Sequence, residues 1–387
     1  MKKKIYLDYA ATTPVDPRVL KAMMPYFNSK FGNPASLHNF GQEANESLEK
    51  SRKTIADFIK AKPEEIVFTG SATESNNLAL KGTAFANRFR KKHIITTQVE
   101  HDCVLESSLW LKTQGFEVDF LPVNKYGLID LNQLKKTIKK DTLLVSVIHG
   151  NNEIGTVQDI KSIGKICREN NIYFHTDASQ SIGKVDIDVS QLNIDLLTAS
   201  SHKIYGPKGV AMLYVKKGVL IDPILHGGGQ EKNLRSSTVN VAGIIGFTKA
   251  IEILKKDGKQ ENKRLKKLRN LLIKEILKNI KDTHLNGHPS QRLSNNINIS
   301  FSGVEGESLM LELDHYGIAV STGSACSSKT LEPSHVLLAI GLSPFRAHGS
   351  VRISLGRHTT KSDIDYLIKT LKKSTEKLRK ISPVYKI

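Results

Sequence analysis

Cys326 stands in the stretch STGSACSSKTLEP, 321–333, among small, polar, turn-prone residues rather than on an apolar face. A structural cysteine is usually buried as a small hydrophobe, whereas a reactive thiol needs exposure and something nearby to hold the thiolate. Of the three cysteines in the chain, only this one has such surroundings. Cys167 follows Ile163 by four residues on a helical face and reads as inert core, and Cys103 is expected to face packing near His101. A second chemical group is Lys203, in SSHKIYGPKG, where the amine follows two serines and a histidine and precedes a Gly-Pro turn. A third is TGSATESNNLALKG, where small residues lead into a helical pattern. Backbone N–H groups at that helix start, at Ala72 and Thr73, with the Thr73 hydroxyl, suit an anion such as a phosphate. The same Gly-Ser pattern is also an ordinary helix cap.

Such residues act together only if the fold gathers them. From about residue 60 to 215 one theme repeats: a short apolar, β-branched run ends in small or polar residues, and a helical pattern follows. The runs are 66–69, 93–97, 143–148, 172–176 and 195–199, with 210–215 closing the series. Strands alternating with helices predict an α/β domain around a mostly parallel sheet, which binds ligands at the carboxyl ends of its strands. His101 lies just past the second run, Asn152 in HGNNEIG after the third, Asp177 and Gln180 in HTDASQS after the fourth, and Ser200, His202 and Lys203 after the fifth. A strand-end aspartate is equally a helix cap when taken alone. With Lys203 on one turn, an anion site beside it and an acid across the rim, the set matches the needs of pyridoxal phosphate. That cofactor takes a Schiff-base amine, a phosphate cradle and a carboxylate for its pyridinium nitrogen.

The motifs YLDYAATTP, TGSATESNN, EHDCVLE, NNEIG, HTDASQS, SSHKIYGPKG, HGGGQEKNLRSST, STGSACSS and VRISLGR occur in this order over essentially the whole chain. In this the chain resembles the pyridoxal-phosphate-dependent cysteine desulfurases of the NifS/IscS type. The resemblance implies a fold-type I transferase with a mostly parallel seven-stranded sheet in a large domain and a smaller α+β domain. It implies that Lys203 carries the cofactor and moves the substrate α-proton, and that Asp177 keeps the pyridine nitrogen protonated. Gln180 and Asn152 would bond the phenolic oxygen side, and His101 would stack on the ring and act as acid or base. Ala72, Thr73, Ser200 and His202 would hold the phosphate, Thr238 would reach the phosphate of a neighbouring subunit in a homodimer, and Arg352, with Asn152, would bind the substrate, the guanidinium pairing with its carboxylate. Cys326 would take sulfur from L-cysteine as a persulfide, leaving alanine. The S-A-C-S-S segment with its long run to EPSH resembles the group that serves general iron–sulfur assembly. Ser237 stands where the family commonly has glycine.

The acceptor of that sulfur is left open among an iron–sulfur scaffold, a tRNA-thiolation enzyme and a thiamine-pathway carrier. Whether Cys326 also ligates a nascent iron–sulfur cluster, as its only metal role, is left open too. Alternatives within the fold are a selenocysteine lyase or an aminotransferase of small amino acids, and outside it a non-catalytic scaffold or RNA-contacting protein.

With 387 residues, 39% of them hydrophobic and 25% charged, the chain can bury a large core. No stretch approaches the roughly 18 apolar residues of a membrane span, and the basic start lacks the apolar run of a signal peptide. Cysteines at 103, 167 and 326 have neither metal-ligand spacing nor an even count, which fits a reducing compartment and makes the cytoplasm the expected location. The net charge of +19 is spread along the chain without aromatic interleaving, so no direct nucleic-acid contact is expected. Its densest run, 249–281, carries twelve Lys/Arg against four Asp/Glu, with Leu265, Leu268, Leu272 and Ile276 at helical spacing, which predicts an amphipathic helix. The domain boundary is expected within it: 15–255 as the large cofactor-binding domain, and 1–14 with 256–387 as the small domain that carries the cysteine segment.

Overall fold

The structure is a computed structural model, and it describes residues 4–323, 332–383 and 385. Its centre is a seven-stranded sheet in the order Ile66–Thr69, Ala211–Val215, Leu196–Ser200, Tyr173–Asp177, Thr142–Ser146, His93–Thr97, Glu117–Leu121. Only Ala211–Val215 runs against its neighbours; the other pairings are parallel. Six of these strands coincide within a residue or so with the apolar runs. The seventh, Glu117–Leu121, is an edge strand whose residues are only partly buried, so EVDFL has no continuous apolar run to betray it.

Buried on both faces, the inner strands and the edge strand Ile66–Thr69 split their side chains by parity. Phe68, Ile95, Val145, Leu197 and Met212 join the apolar cluster on one face, and Val67, Ile94, Leu144, Leu196 and Leu213 join that on the other. The period of two of a pleated strand produces this partition. The first face is covered by Asn39–Ile59, Ile160–Glu169 and the start of the long helix Val241–Asn279; the second by Ala72–Asn77, its continuation Leu78–Gly82 and Thr83–Asn87, and Asp102–Thr113. One polar tie inside the first cluster is the Arg52–Glu231 pair, 2.8 Å apart, whose carboxylate also accepts the Phe68 N–H. Breaking one side of such a buried pair costs about 3–5 kcal/mol.

The lysine-rich run is indeed helical, and it changes partners along its length. Ile244, Phe247 and Ile251 pack in the first cluster, whereas Leu265, Leu272 and Ile276 pack in a separate one. That second core holds an antiparallel sheet, Ser350–Ser354, Asn296–Phe301 and Thr283–Leu285, under the helices Gly306–His315 and Lys361–Ile381. The last helix starts with Thr360 and Asp363 bonded reciprocally in a capping box. Ile5–Tyr6 returns to pair in parallel with Ile318–Ala319, and Ile5 and Leu7 are buried in this second core. A short helix, His335–Ala339, follows the cysteine segment, and Gly341 just beyond it has φ of 89°, the conformation that glycine permits at a helix end.

Candidate active site

The parallel strands deliver their carboxyl ends to one rim, and a cavity of about 390 Å³ opens there. The strand Leu196–Ser200 ends in a single helical turn, Ser201–Lys203, which sets the Lys203 side chain in the cavity. Its Nζ donates to the carbonyls of Ala10 and Ala11 at 2.7 and 2.8 Å, so the returning N-terminal stretch supplies acceptors for the amine. Behind it the turn is tight: Tyr205 has φ of 68°, and a Cβ on Gly206 would lie 2.0 Å from the Ser201 hydroxyl. Only glycine fits that approach.

On the neighbouring strand, Asp177 at the carboxyl end is 5% exposed. One carboxylate oxygen accepts the Ser179 N–H at 2.8 Å, and the other accepts Asn76 Nδ2 at 2.6 Å. The first bond is the local turn that the sequence allows for a strand-end aspartate. Asn76 had not been singled out; it sits in the helix Ala72–Asn77 and reaches Asp177 across 101 residues of chain. Its amide orientation follows from its partner, since turning the carbonyl toward a carboxylate would set two acceptors face to face. The same Nδ2 lies 3.1 Å from the Cys103 sulfur, which is also 3.1 Å from His101 Nδ1. Cys103 therefore does more than face packing: it touches the apolar cluster of one sheet face and also lines the cavity. Its place two residues after His101 was the available signal. His101 caps the helix Asp102–Thr113, its Nδ1 accepting the Cys103 N–H at 3.2 Å, which leaves Nε2 as the protonated nitrogen of the neutral ring.

The third wall comes from the smaller sheet. Arg352, in the middle of Ser350–Ser354, is 2% exposed, and Nη2 lies 2.8 Å from Asp8 while Nη1 donates to the Asn152 carbonyl at 3.3 Å. Its Nε and the Asn152 side-chain oxygen are buried and, among the described residues, have no hydrogen-bond partner. A buried donor and acceptor left open beside one cavity suit a small zwitterion whose carboxylate and polar groups complete them.

Ala72, Thr73, His101, Asn152, Asp177, Gln180, Ser200, His202, Lys203 and Arg352 all line this cavity. Thr238 does not line it; Cys326 lies outside the described residues. The donor set fits pyridoxal phosphate. Ser71 caps the helix that Ala72 and Thr73 begin, and these three line the cavity together with Ser200, His202, the Asp177 carboxylate and the Lys203 amine. Lys208, unremarked in the sequence, adds a positive charge to this wall. Burial, then Lys203 and Lys208, lower His202 to about 4, and its Nδ1 lies 3.0 Å from the Thr12 hydroxyl. Glu100, beside His101, is pushed up to about 8 by burial, opposed by bonds from the Ile148 N–H and the Thr97 hydroxyl. Cys167 is buried and its thiol is pushed up by burial, as expected of inert core.

The aminotransferase class-V family model matches residues 5–367. The cysteine desulfurase IscS of Dictyoglomus turgidum is 53% identical over 383 residues, covering 99% of this chain and 97% of its own. Among solved structures, a NifS-like protein is 39% identical with a TM-score of 0.90, over 96% of this chain and 99% of its own. SspA in complex with cysteine is 39% identical with a TM-score of 0.82, over 92% of this chain and all of its own.

Proposed function

The chain belongs to the class-V aminotransferase family and is a pyridoxal-phosphate-dependent cysteine desulfurase, and from that premise we propose how its own residues divide the work. The observation that carries the assignment is the convergence of Lys203, Asp177, His101 and Arg352 on one cavity from three separate parts of the fold. When bound, pyridoxal phosphate withdraws electrons from the substrate α-carbon and so opens its sulfur to a nucleophile. Lys203 anchors the cofactor and then takes and returns the α-proton, with the Ala10 and Ala11 carbonyls holding the freed ammonium. Asp177, fixed by Asn76 and Ser179, would pair with the ring nitrogen of the cofactor, and the His101 imidazole would stack on its ring and serve in proton transfer. Ala72, Thr73, Ser200 and His202 hold the phosphate, and Gln180 and Asn152 orient the ring oxygen.

Arg352 binds the substrate carboxylate through Nε, which is open for it. Asp8 and the Asn152 carbonyl hold the rest of the guanidinium in place. The Cys326 thiolate forms an S–S bond with the substrate sulfur as the C–S bond breaks, which leaves a persulfide on the enzyme. The three-carbon remainder takes up protons and departs as L-alanine. Acceptors of the persulfide in this reading are an iron–sulfur scaffold or a tRNA-thiolation enzyme, the working unit is a homodimer in which Thr238 serves the partner's phosphate, and the setting is a reducing cytoplasm. Among the described residues no helix is long and apolar enough to cross a membrane. The two separate apolar clusters met by the long helix support a division into 15–255, the large domain, and 1–14 with 256–387, the small one.

Incubation with L-cysteine and a reductant, beside Cys326→Ala, tests the assignment. Alanine and sulfide in equal yield, both lost in a variant whose cofactor absorption still responds to L-cysteine, are the expected result. Full activity in Cys326→Ala overturns Cys326 as the sulfur acceptor.

A further inference from the structure

Glu153 is a buried acid that the chemistry above does not use. It follows Asn152 directly, is 1% exposed, and its backbone is pinned by the Asn151 side chain, which accepts the Glu153 N–H at 2.9 Å. Its carboxylate meets both ends of the stretch that carries Cys326. On the far side Oε2 accepts the Ser334 hydroxyl at 2.5 Å, across 181 residues of chain. On the near side the same oxygen lies 3.2 Å from where a Cβ on Gly323 would be, so the backbone of Gly323 rests against it.

Neighbouring contacts extend the same brace. Ser321 exchanges backbone hydrogen bonds with Arg352, at 3.1 and 2.6 Å, which ties the near root to the arginine of the third wall. Ser334 caps the helix His335–Ala339, taking the Leu337 N–H. His335 places Nε2 2.9 Å from the Glu100 carbonyl and Nδ1 3.7 Å from the Asp102 carboxylate, and those two residues flank His101. The roots of the cysteine-bearing stretch are thus bound to the turns that present Asn152 and His101 and to the strand that presents Arg352. A thiol attacking a sulfur atom must arrive within a narrow range of distance and angle, and misplacement by about 1 Å can cost on the order of 100-fold.

We propose that Glu153 is a positioning residue for sulfur transfer, its carboxylate bracing Gly323 and Ser334, the two roots of the Cys326 stretch, against the turn that carries Asn152. The inference rests on Cys326 being the sulfur acceptor. Glu153 does not line the cavity, so its loss should slow the arrival of the thiol without weakening the binding of L-cysteine. Glutamine keeps an oxygen for the Ser334 hydroxyl and alanine keeps none, so the two substitutions isolate the contribution of that bond.

The test is single-turnover mixing of holoenzyme with L-cysteine for wild type, Glu153→Ala, Glu153→Gln, Ser334→Ala and Cys326→Ala. Two signals are followed: the change in cofactor absorption on substrate binding, and alanine with persulfide on Cys326 by thiol labelling and mass spectrometry. In Glu153→Ala the absorption change should keep its amplitude and its dependence on cysteine concentration, while alanine and persulfide form about 10- to 100-fold more slowly. Glu153→Gln should recover most of the rate, and Ser334→Ala should be slowed, with the protein carrying both Glu153→Ala and Ser334→Ala no slower than Glu153→Ala alone. Persulfide formed at the wild-type rate in both Glu153→Ala and Ser334→Ala overturns the proposal. So does a Glu153→Gln variant that loses the absorption change along with the rate, because the role would then be structural. Alanine formed at the wild-type rate in Cys326→Ala would instead remove the premise, and that result is read independently of the others.

Discussion

The two sheets contribute to the cavity in different ways. In the seven-stranded sheet every functional residue lies at or just beyond a strand's carboxyl end: Asn152, Asp177 and Lys203 follow Thr142–Ser146, Tyr173–Asp177 and Leu196–Ser200. The strand bodies there are buried on both faces and have no surface to give. In the three-stranded sheet the functional residue is in mid-strand, Arg352 facing Asn298 in the register of Ser350–Ser354 with Asn296–Phe301. An antiparallel sheet with a helix layer on one side has a second face free to approach a neighbour, and this one lends it to the cavity. Position at a strand end can therefore be read along the chain, whereas a mid-strand arginine takes its meaning only from what lies opposite.

The largest expected effect sharpens that contrast. Lys203→Ala removes the amine from the strand-end rim and should lower alanine production by about 10²–10⁴-fold, the usual weight of a proton-transfer group. The covalently bound form of the cofactor should disappear from its absorption spectrum. A variant that keeps both would break the strand-end reading of the large sheet.

For the small sheet, Arg352→Lys keeps the charge and loses the fork. The expected outcome is a rise in KM for L-cysteine of roughly 10- to 100-fold, the weight of lost charged hydrogen bonds, with a smaller change in kcat. Steady-state kinetics check it; a lower kcat at unchanged KM would mean that Arg352 acts elsewhere than on the carboxylate.

Smaller again is the difference between two thiols that the sequence alone treated alike. Cys103→Ala should change kcat a few-fold and shift the cofactor absorption maximum, because Cys103 contacts His101 and Asn76 at the cavity wall. Cys167→Ala should leave kcat unchanged and lower stability by about 1 kcal/mol, the cost of a small buried cavity. Kinetics and denaturant unfolding of the two variants separate them, and equal kinetics would return Cys103 to plain packing.

The smallest effect is in pH. The folded protein holds the Glu100 proton up to about 8, whereas the unfolded chain releases it near 4.5. Glu100 therefore stabilises the fold fully below about 4.5, and that contribution is lost as pH rises to about 8. Glu100→Gln cannot lose a proton. Its Tm relative to wild type should rise by roughly a few degrees between about pH 5 and pH 8.5, and a difference that stays constant with pH would refute the buried-proton reading.

Much of this molecule follows from local pattern. Apolar runs between helical stretches determined the inner strands of the large sheet within a residue or so, because burial on both faces leaves an uninterrupted apolar signal. Strand ends determined where Asp177, Asn152 and Lys203 would meet. The edge strand Glu117–Leu121, half solvated, carried no such mark. Only the tertiary structure decided that Asn76 holds Asp177, that the Ala10 and Ala11 carbonyls take the Lys203 amine, that Asp8 pairs with Arg352, and that Glu153 binds Ser334. Each of those contacts joins residues more than a hundred positions apart. A short window of sequence records what a residue prefers among its neighbours in the chain, whereas a polar side chain buried across such a separation is defined by the partner that the packed core brings to it.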